Sequence, residues 1–177
     1  LNYGEKMRVD LTKAITLETK KIVVGQQAPD FCLAKLDGRI IDDVCLKDFG
    51  NSIKVISCFP SIDTGVCDLQ TKKLYEEYGN VEGLALLNVS ADLVFAFNKW
   101  CGANNMKNIF MLSDYRDHKF AKDYGVNILH ANIIYRSVFI IDQQNIVRYV
   151  QLAKGISEPL DFYSIKQAIN NLLNKDI

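Results

Sequence analysis

Apolar runs and amphipathic stretches alternate along most of this chain. Residues 53–59 are apolar at nearly every position and end at Pro60, which is typical of a buried strand. In residues 65–78, apolar side chains recur among lysines and glutamates with helical spacing, which predicts an amphipathic helix. The short segment between them is expected to form a connection from strand to helix.

The same alternation continues to the end of the chain. The predicted order is strand 53–59, helix 65–78, strand 83–89, helix 93–101, strand 109–112, helix 116–124, strands 137–141 and 146–152, and helix 159–173. Strands that alternate with helices form a mostly parallel sheet covered on both faces, and the final pair of strands makes the sheet mixed. The order therefore predicts an α/β fold of the thioredoxin-like type.

The N-terminal part has shorter extended pieces. Residues 7–11 and 15–18 alternate between polar and apolar side chains, which predicts a small β-hairpin within the first 24 residues. Two further extended pieces, 31–35 and 39–44, meet at the turn signal Asp37-Gly38. Because no repeat or linker divides the chain, residues 1–177 are predicted to form one domain, with the hairpin as an extension.

Composition and charge exclude several classes of protein. With 49% hydrophobic residues, the chain has enough apolar side chains for a sizeable core. Its 21 basic and 21 acidic residues balance, which argues against binding to nucleic acid or to an anionic membrane. The first 24 residues lack the layout of a signal peptide, and no apolar run approaches the roughly 20 residues of a membrane helix. A cytoplasmic location is therefore expected.

The sequence has five cysteines, at positions 32, 45, 58, 67 and 101. This number is odd and includes no CxxC pair, which argues against a disulfide-stapled scaffold and against a zinc site, so no metal is expected. Cys58 lies in an apolar strand, and Cys32 and Cys45 lie in short extended segments. We interpret these three as small buried hydrophobic residues.

Cys67 differs because it lies in the first turn of the predicted helix 65–78. Free backbone N–H groups and the positive end of the helix dipole favour a negative sulfur at such a position. Histidine is the usual base that activates a thiol, but His118 is interpreted as a solvated surface residue. A cation and neighbouring hydroxyl groups are then the remaining candidates for stabilising a thiolate. Arg136 is either that cation or a solvated arginine at the start of a strand. Thr64 either faces Cys67 from one turn away or caps the helix.

Residues 60–67 also carry a known signature. Pro60-Ser61-Ile62-Asp63-Thr64-Gly65-Val66-Cys67 fits the P-x-x-x-T-x-x-C motif of the peroxiredoxins, and the chain resembles the bacterial thiol peroxidases, which form their atypical two-cysteine group. Further matches follow in order at 89–93, 95–96, 101–103, 112–116, 124–126 and 136–142. The resemblance extends over residues 25–173, nearly the whole chain.

The resemblance implies a role for each matched residue. Cys67 would be the peroxidatic cysteine, which attacks a peroxide and becomes a sulfenic acid. Cys101 would be the resolving cysteine, which forms a Cys67–Cys101 disulfide that thioredoxin reduces. Thr64 and Arg136 would orient the peroxide and stabilise the developing charge, and Pro60 would shield the site from water.

The resemblance also implies substrates and partners. The substrates would be hydrogen peroxide and organic hydroperoxides, reduced without metal, haem or flavin, and the assembly would be a homodimer. Because Cys67 and Cys101 lie on different predicted helices, forming their disulfide is expected to require local unfolding near both cysteines. A redox sensor that uses the same thiolate and a catalytically silent interaction module are the alternatives, although the complete set of site residues argues against the second.

The chain departs from the resemblance at three places. Val94 stands where relatives often have proline, which removes a pre-set first helical residue but no chemistry. Asn104-Asn105-Met106 follows the Cys101 motif in place of the more usual residues, and the segment 127–135 is short. These differences affect the expected shape beside the site and, through it, the substrate preference.

Overall fold

A mixed sheet with helices packed against it forms the core of the protein. The computed structural model describes residues 8–18, 20–107 and 109–174. Within these ranges the strands are β1 (Cys32–Asp37), β2 (Ile40–Cys45), β3 (Ile53–Cys58), β4 (Leu84–Ser90), β5 (Phe110–Ser113), β6 (Ser137–Ile141) and β7 (Val147–Leu152). The α-helices are α1 (Gly65–Tyr78), α2 (Val94–Ala103), α3 (Lys119–Asp123) and α4 (Phe162–Leu173), and a short 3-10 turn covers Leu46–Phe49.

The strand order confirms the predicted mixed sheet. The strands lie in the order β2-β1-β5-β4-β3-β6-β7. The central strands β3, β4 and β5 are parallel, whereas β1 with β2 and β6 with β7 form antiparallel pairs at the two edges. All six residues of β3 are buried, including the polar Lys54 and Ser57, as the mostly apolar run predicted. This is the thioredoxin-like fold that the alternation of elements indicated.

The predicted N-terminal hairpin is wrong for residues 8–18 and 20–24, which contain no strand; position 7 lies outside the described residues. Leu17 instead forms an isolated antiparallel bridge with Ile128. The backbone N–H of Glu18 donates to the carbonyl oxygen of Asn127, at 3.1 Å. The end of this segment therefore pairs with a distant loop rather than with the start of the segment, as a hairpin would.

The β1–β2 hairpin corrects the interpretation of Cys32 and Cys45. The turn lies where it was predicted, and Gly38 there has a left-handed φ of +58°, a conformation that glycine adopts without steric cost. At the open end of the hairpin, Cys32 and Cys45 are paired across the strands and form a disulfide, with Cα atoms 4.0 Å apart. Cys32 is exposed, so the two are a cross-link rather than a pair of buried apolar residues. The strand register, which brings the paired side chains together, is the physical reason.

A small apolar cluster lies beside the main core and includes Cys67. It comprises Phe59, Ile62, Cys67, Phe97, Trp100 and Met111. These residues come from the connection after β3, from α1, from α2 and from β5, so the cluster joins the two helices to one end of the sheet. Among the helices in the described part of the chain, none has the length and apolar composition needed to cross a bilayer.

Candidate active site

Cys67 lies in the first turn of α1, where the chain turns from the buried strand β3 into the helix. Thr64 is the residue that precedes the helix, so Cys67 is the third helical residue. Its side chain has no exposed surface. Backbone N–H groups in the first turn of a helix lack intrahelical acceptors and carry the positive end of the helix dipole. The thiol is therefore buried at a position that favours negative charge.

The Thr64 side chain faces Cys67. Its hydroxyl oxygen lies 2.7 Å from Cys67 Sγ and 3.2 Å from the carbonyl oxygen of Ser61. Although Thr64 occupies the position before the helix, its side chain makes no capping hydrogen bond there. Of the two alternatives for Thr64, the structure thus has the hydroxyl directed at the thiol.

Arg136 is the cation beside Cys67. It directly precedes β6 and is only 2% exposed, so a solvated arginine at a strand start is excluded. Its Nη2 lies 3.4 Å from Cys67 Sγ, and Nη2 and Nε both donate to the carbonyl oxygen of Ile156, each at 3.2 Å. These bonds hold the planar guanidinium in one orientation over the sulfur.

Gln70 belongs to the site, although our sequence reasoning missed it. Its Oε1 accepts a hydrogen bond from Arg136 Nη1 at 2.8 Å. Its Nε2 donates to Ser57 Oγ at 2.8 Å and to the carbonyl oxygen of Cys58 at 3.2 Å. Gln70 is three residues after Cys67 and therefore shares its helix face. A polar residue one turn after Cys67, on the same helix face, was the available signal.

Asp92 anchors the connection that leads to Cys67. One carboxylate oxygen accepts a hydrogen bond from Ser61 Oγ at 2.7 Å. The other accepts from the backbone N–H of Ile62 at 2.8 Å and from Ser90 Oγ at 2.6 Å. Pro60 lies half-buried at the start of this connection. The segment is thus tied to the end of β4, which fixes where α1 begins.

Cys101 lies on α2 and packs at the edge of the apolar cluster that contains Cys67. It is half-buried, and both cysteines carry free thiols. Burial raises the pKa of the Cys101 thiol, and the nearby charge of Lys35 partly opposes this effect. The structure therefore brings Thr64 and Arg136 onto Cys67, and it keeps Cys101 on a separate helix at the border of the same cluster.

Two other residues considered from the sequence lie outside this arrangement. Cys58 is completely buried in β3, as predicted, and burial strongly raises the pKa of its thiol. His118 is half-buried rather than solvated, and its Nδ1 is buried without a hydrogen-bond partner among the described residues.

The sequence is similar to a known family and to named bacterial proteins. The sequence profile of the AhpC/TSA family matches residues 24–150. A thiol peroxidase of Streptococcus gordonii is 37% identical over 166 residues, which span 94% of this chain and 100% of that protein. A thiol peroxidase of Streptococcus pneumoniae strain R6 is 41% identical over 150 residues, or 84% of this chain and 90% of its relative.

Solved structures agree with this similarity. A peroxiredoxin-like protein from Aquifex aeolicus superimposes with a TM-score of 0.79 at 32% identity, covering 89% of this chain and 92% of the other. A thiol peroxidase from Chromobacterium violaceum superimposes with a TM-score of 0.77 over 91% of this chain and 93% of the other. The second is only 20% identical, so it supports the fold alone.

Proposed function

Because the chain belongs to the AhpC/TSA family and is a peroxiredoxin enzyme, we propose that Cys67 is its peroxidatic cysteine and reduces hydrogen peroxide and organic hydroperoxides. The contact of one buried thiol with the Thr64 hydroxyl and the Arg136 guanidinium carries the proposal. Both are hydrogen-bond donors, and a donor beside sulfur stabilises a thiolate and any negative charge that develops next to it.

In the first step, the Cys67 thiolate attacks the distal oxygen of the peroxide. The S–O bond forms as the O–O bond breaks, and the leaving oxygen takes a proton and departs as water or an alcohol. An ordinary thiol with a pKa near 8.5 is about 3% ionised at pH 7, so complete ionisation raises the rate only about thirtyfold. The rest of the acceleration is assigned to donation from Thr64 and Arg136 to the peroxide oxygens.

In the second step, the Cys101 thiol attacks the sulfur of the Cys67 sulfenic acid. The S–S bond forms as the S–O bond breaks, and the departing hydroxide is protonated to water. The two cysteines lie on different helices and are not bonded, so we expect local unfolding near both of them in this step. A thioredoxin then returns two electrons and two protons by thiol–disulfide exchange, which regenerates both thiols.

The test is peroxide consumption coupled to thioredoxin, thioredoxin reductase and NADPH. We expect Cys67→Ser to lose turnover completely, and Cys101→Ser to stop after one sulfenate per chain. Cys58→Ser is the matched control, because this buried thiol makes no contribution in the proposal and its loss should leave turnover unchanged. Sustained turnover in Cys101→Ser would contradict the resolving role. Rapid oxidation of wild-type Cys67 without turnover would favour the sensor.

The proposal includes a homodimer. Three large apolar side chains in and beside the helices of the site are more than half exposed, namely Leu69 at 67%, Leu93 at 55% and Phe95 at 61%. Burial of such side chains is a common contribution to subunit interfaces. Analytical ultracentrifugation tests this part, and a monomer at micromolar concentration would contradict it. The cytoplasmic location stays a prediction.

A further inference from the structure

A cross-link between α1 and α2 lies next to both cysteines of the proposed reaction. Trp100 Nε1 donates a hydrogen bond to Asp68 Oδ1 at 2.9 Å. Lys72 forms an ion pair with the same carboxylate, also at 2.9 Å, and its ammonium lies 6.0 Å from the centre of the Trp100 ring. Asp68 directly follows Cys67, and Trp100 directly precedes Cys101.

We propose that this contact of Asp68, Lys72 and Trp100, here called the latch, sets the rate at which Cys101 reaches oxidised Cys67. The proposal rests on the function proposed above. Cys67 cannot leave the first turn of α1 without displacing Asp68, and Cys101 cannot leave α2 without displacing Trp100. Closing the disulfide therefore requires the latch to open.

The surroundings of Trp100 strengthen this connection. The ring is 8% exposed and packs in the apolar cluster that contains Cys67. The Trp100 carbonyl oxygen accepts from both the backbone and the side-chain N–H groups of Asn104, at 3.0 and 2.9 Å. The Cys101 carbonyl oxygen accepts from the N–H of Met106 at 3.0 Å. These bonds thus tie the last turn of α2, which carries Cys101, to Trp100, one of the three residues of the latch.

The latch affects the two fates of the sulfenic acid in opposite ways. While it is closed, Cys67 stays beside Arg136, where a second peroxide molecule can oxidise the sulfenic acid to sulfinic acid and leave as water or an alcohol. When it opens, Cys101 can form the disulfide instead. A weaker latch should therefore speed disulfide formation and protect Cys67 from over-oxidation.

The variants separate the hydrogen bond from the packing. Trp100→Phe removes the N–H donor but keeps an aromatic ring in the cluster. Asp68→Ala removes the acceptor, whereas Asp68→Asn keeps an oxygen that can accept from Trp100 but loses the charge. A hydrogen bond to a charged group is strong enough that its loss should accelerate opening about tenfold. Glu76→Ala, an exposed acidic residue of the same helix, is the matched control.

The experiment is a single turnover with one equivalent of hydrogen peroxide, in which chemical trapping and mass spectrometry follow sulfenate and disulfide. We expect disulfide formation to be about tenfold faster in Asp68→Ala and in Trp100→Phe, with Asp68→Asn in between and Glu76→Ala unchanged. Sulfenate formation should change less than twofold. The double variant should be no faster than Asp68→Ala alone, because Asp68→Ala already removes the hydrogen bond that Trp100→Phe removes.

Two further readouts distinguish a latch from a general loss of stability. The peroxide concentration that inactivates half the enzyme should rise about tenfold in Asp68→Ala and Trp100→Phe. In the wild type, the fluorescence of Trp100, the single tryptophan of the sequence, should change at the rate of disulfide formation. Disulfide formation that is unchanged or slower in the single variants would overturn the proposal. The absence of sulfenate at Cys67 in every protein would instead overturn the proposed function.

Discussion

Gln70 offers the sharpest test of how the site is oriented. Its Oε1 accepts from Arg136 Nη1 at 2.8 Å, and Arg136 in turn reaches the Cys67 sulfur. Gln70→Leu fills a similar volume but removes this acceptor. A hydrogen bond to a charged group contributes about 1.5–3 kcal/mol, and if about 2 kcal/mol of this acts on the orientation of the guanidinium, the peroxide step should slow about thirtyfold.

The assay is stopped-flow measurement of Cys67 oxidation under a range of peroxide concentrations. Gln70→Glu keeps an acceptor for Arg136 while losing the donors to Ser57 and Cys58, so it should recover most of the rate. Because Gln70 acts through Arg136, Gln70→Leu should have little further effect in an Arg136→Met background. The same thirtyfold loss in both backgrounds would refute this reasoning, and urea unfolding of each variant controls for stability.

Three other measurements test separate features. Arg136→Met should slow the peroxide step by about 10²–10³-fold, as the loss of one aligned donor does elsewhere, whereas Arg116→Met, which breaks an exposed ion pair with Asp43, should leave the rate unchanged. Replacing both Cys32 and Cys45 by serine should lower the free energy of unfolding by about 3 kcal/mol, estimated for the loop that the disulfide closes, and urea unfolding measures this. Burial raises the pKa of Asp114 from 3.8 to about 6, so protonation of this carboxyl favours the folded state. The resulting stabilisation is fully present below about pH 4 and is lost as the pH rises through about 6. Relative to Asp114→Asn, the wild type should therefore lose about 3 kcal/mol of stability between pH 4 and 7. If the difference in unfolding free energy between wild type and Asp114→Asn did not change with pH, the raised pKa of Asp114 would be contradicted.

Much of the fold could be predicted from periodicity, because helices and strands impose different spacings on apolar residues. The bounds predicted for α1 and β6 agree with the structure. The last helix begins later than predicted, since the Asp161 side chain accepts from the N–H groups of Tyr163 and Ser164 and sets its start. Likewise, α3 is shorter than predicted because the Asp114 carboxylate accepts from the N–H groups of Phe120 and Ala121.

The N-terminal hairpin and the two hairpin cysteines show where this reasoning stops. Alternating side chains do not distinguish a strand that pairs with its neighbour from one that pairs with a distant loop, as Leu17 does with Ile128. The disulfide between Cys32 and Cys45 depends on strand register, and composition alone suggested no such cross-link. In both cases the local sequence pattern did not show with which residue each residue pairs.

The sequence alone placed the local half of the site. Thr64 and Cys67 are three residues apart at the start of a helix, which limited the Thr64 hydroxyl to two roles, facing the thiol or capping the helix, and the structure has the contact with the thiol. Only the tertiary structure decided the other half. Arg136 lies 69 residues from Cys67 in the chain, and Trp100 lies 32 residues from Asp68. Contacts over such separations depend on strand order and helix packing, which are properties of the whole sheet rather than of any local pattern.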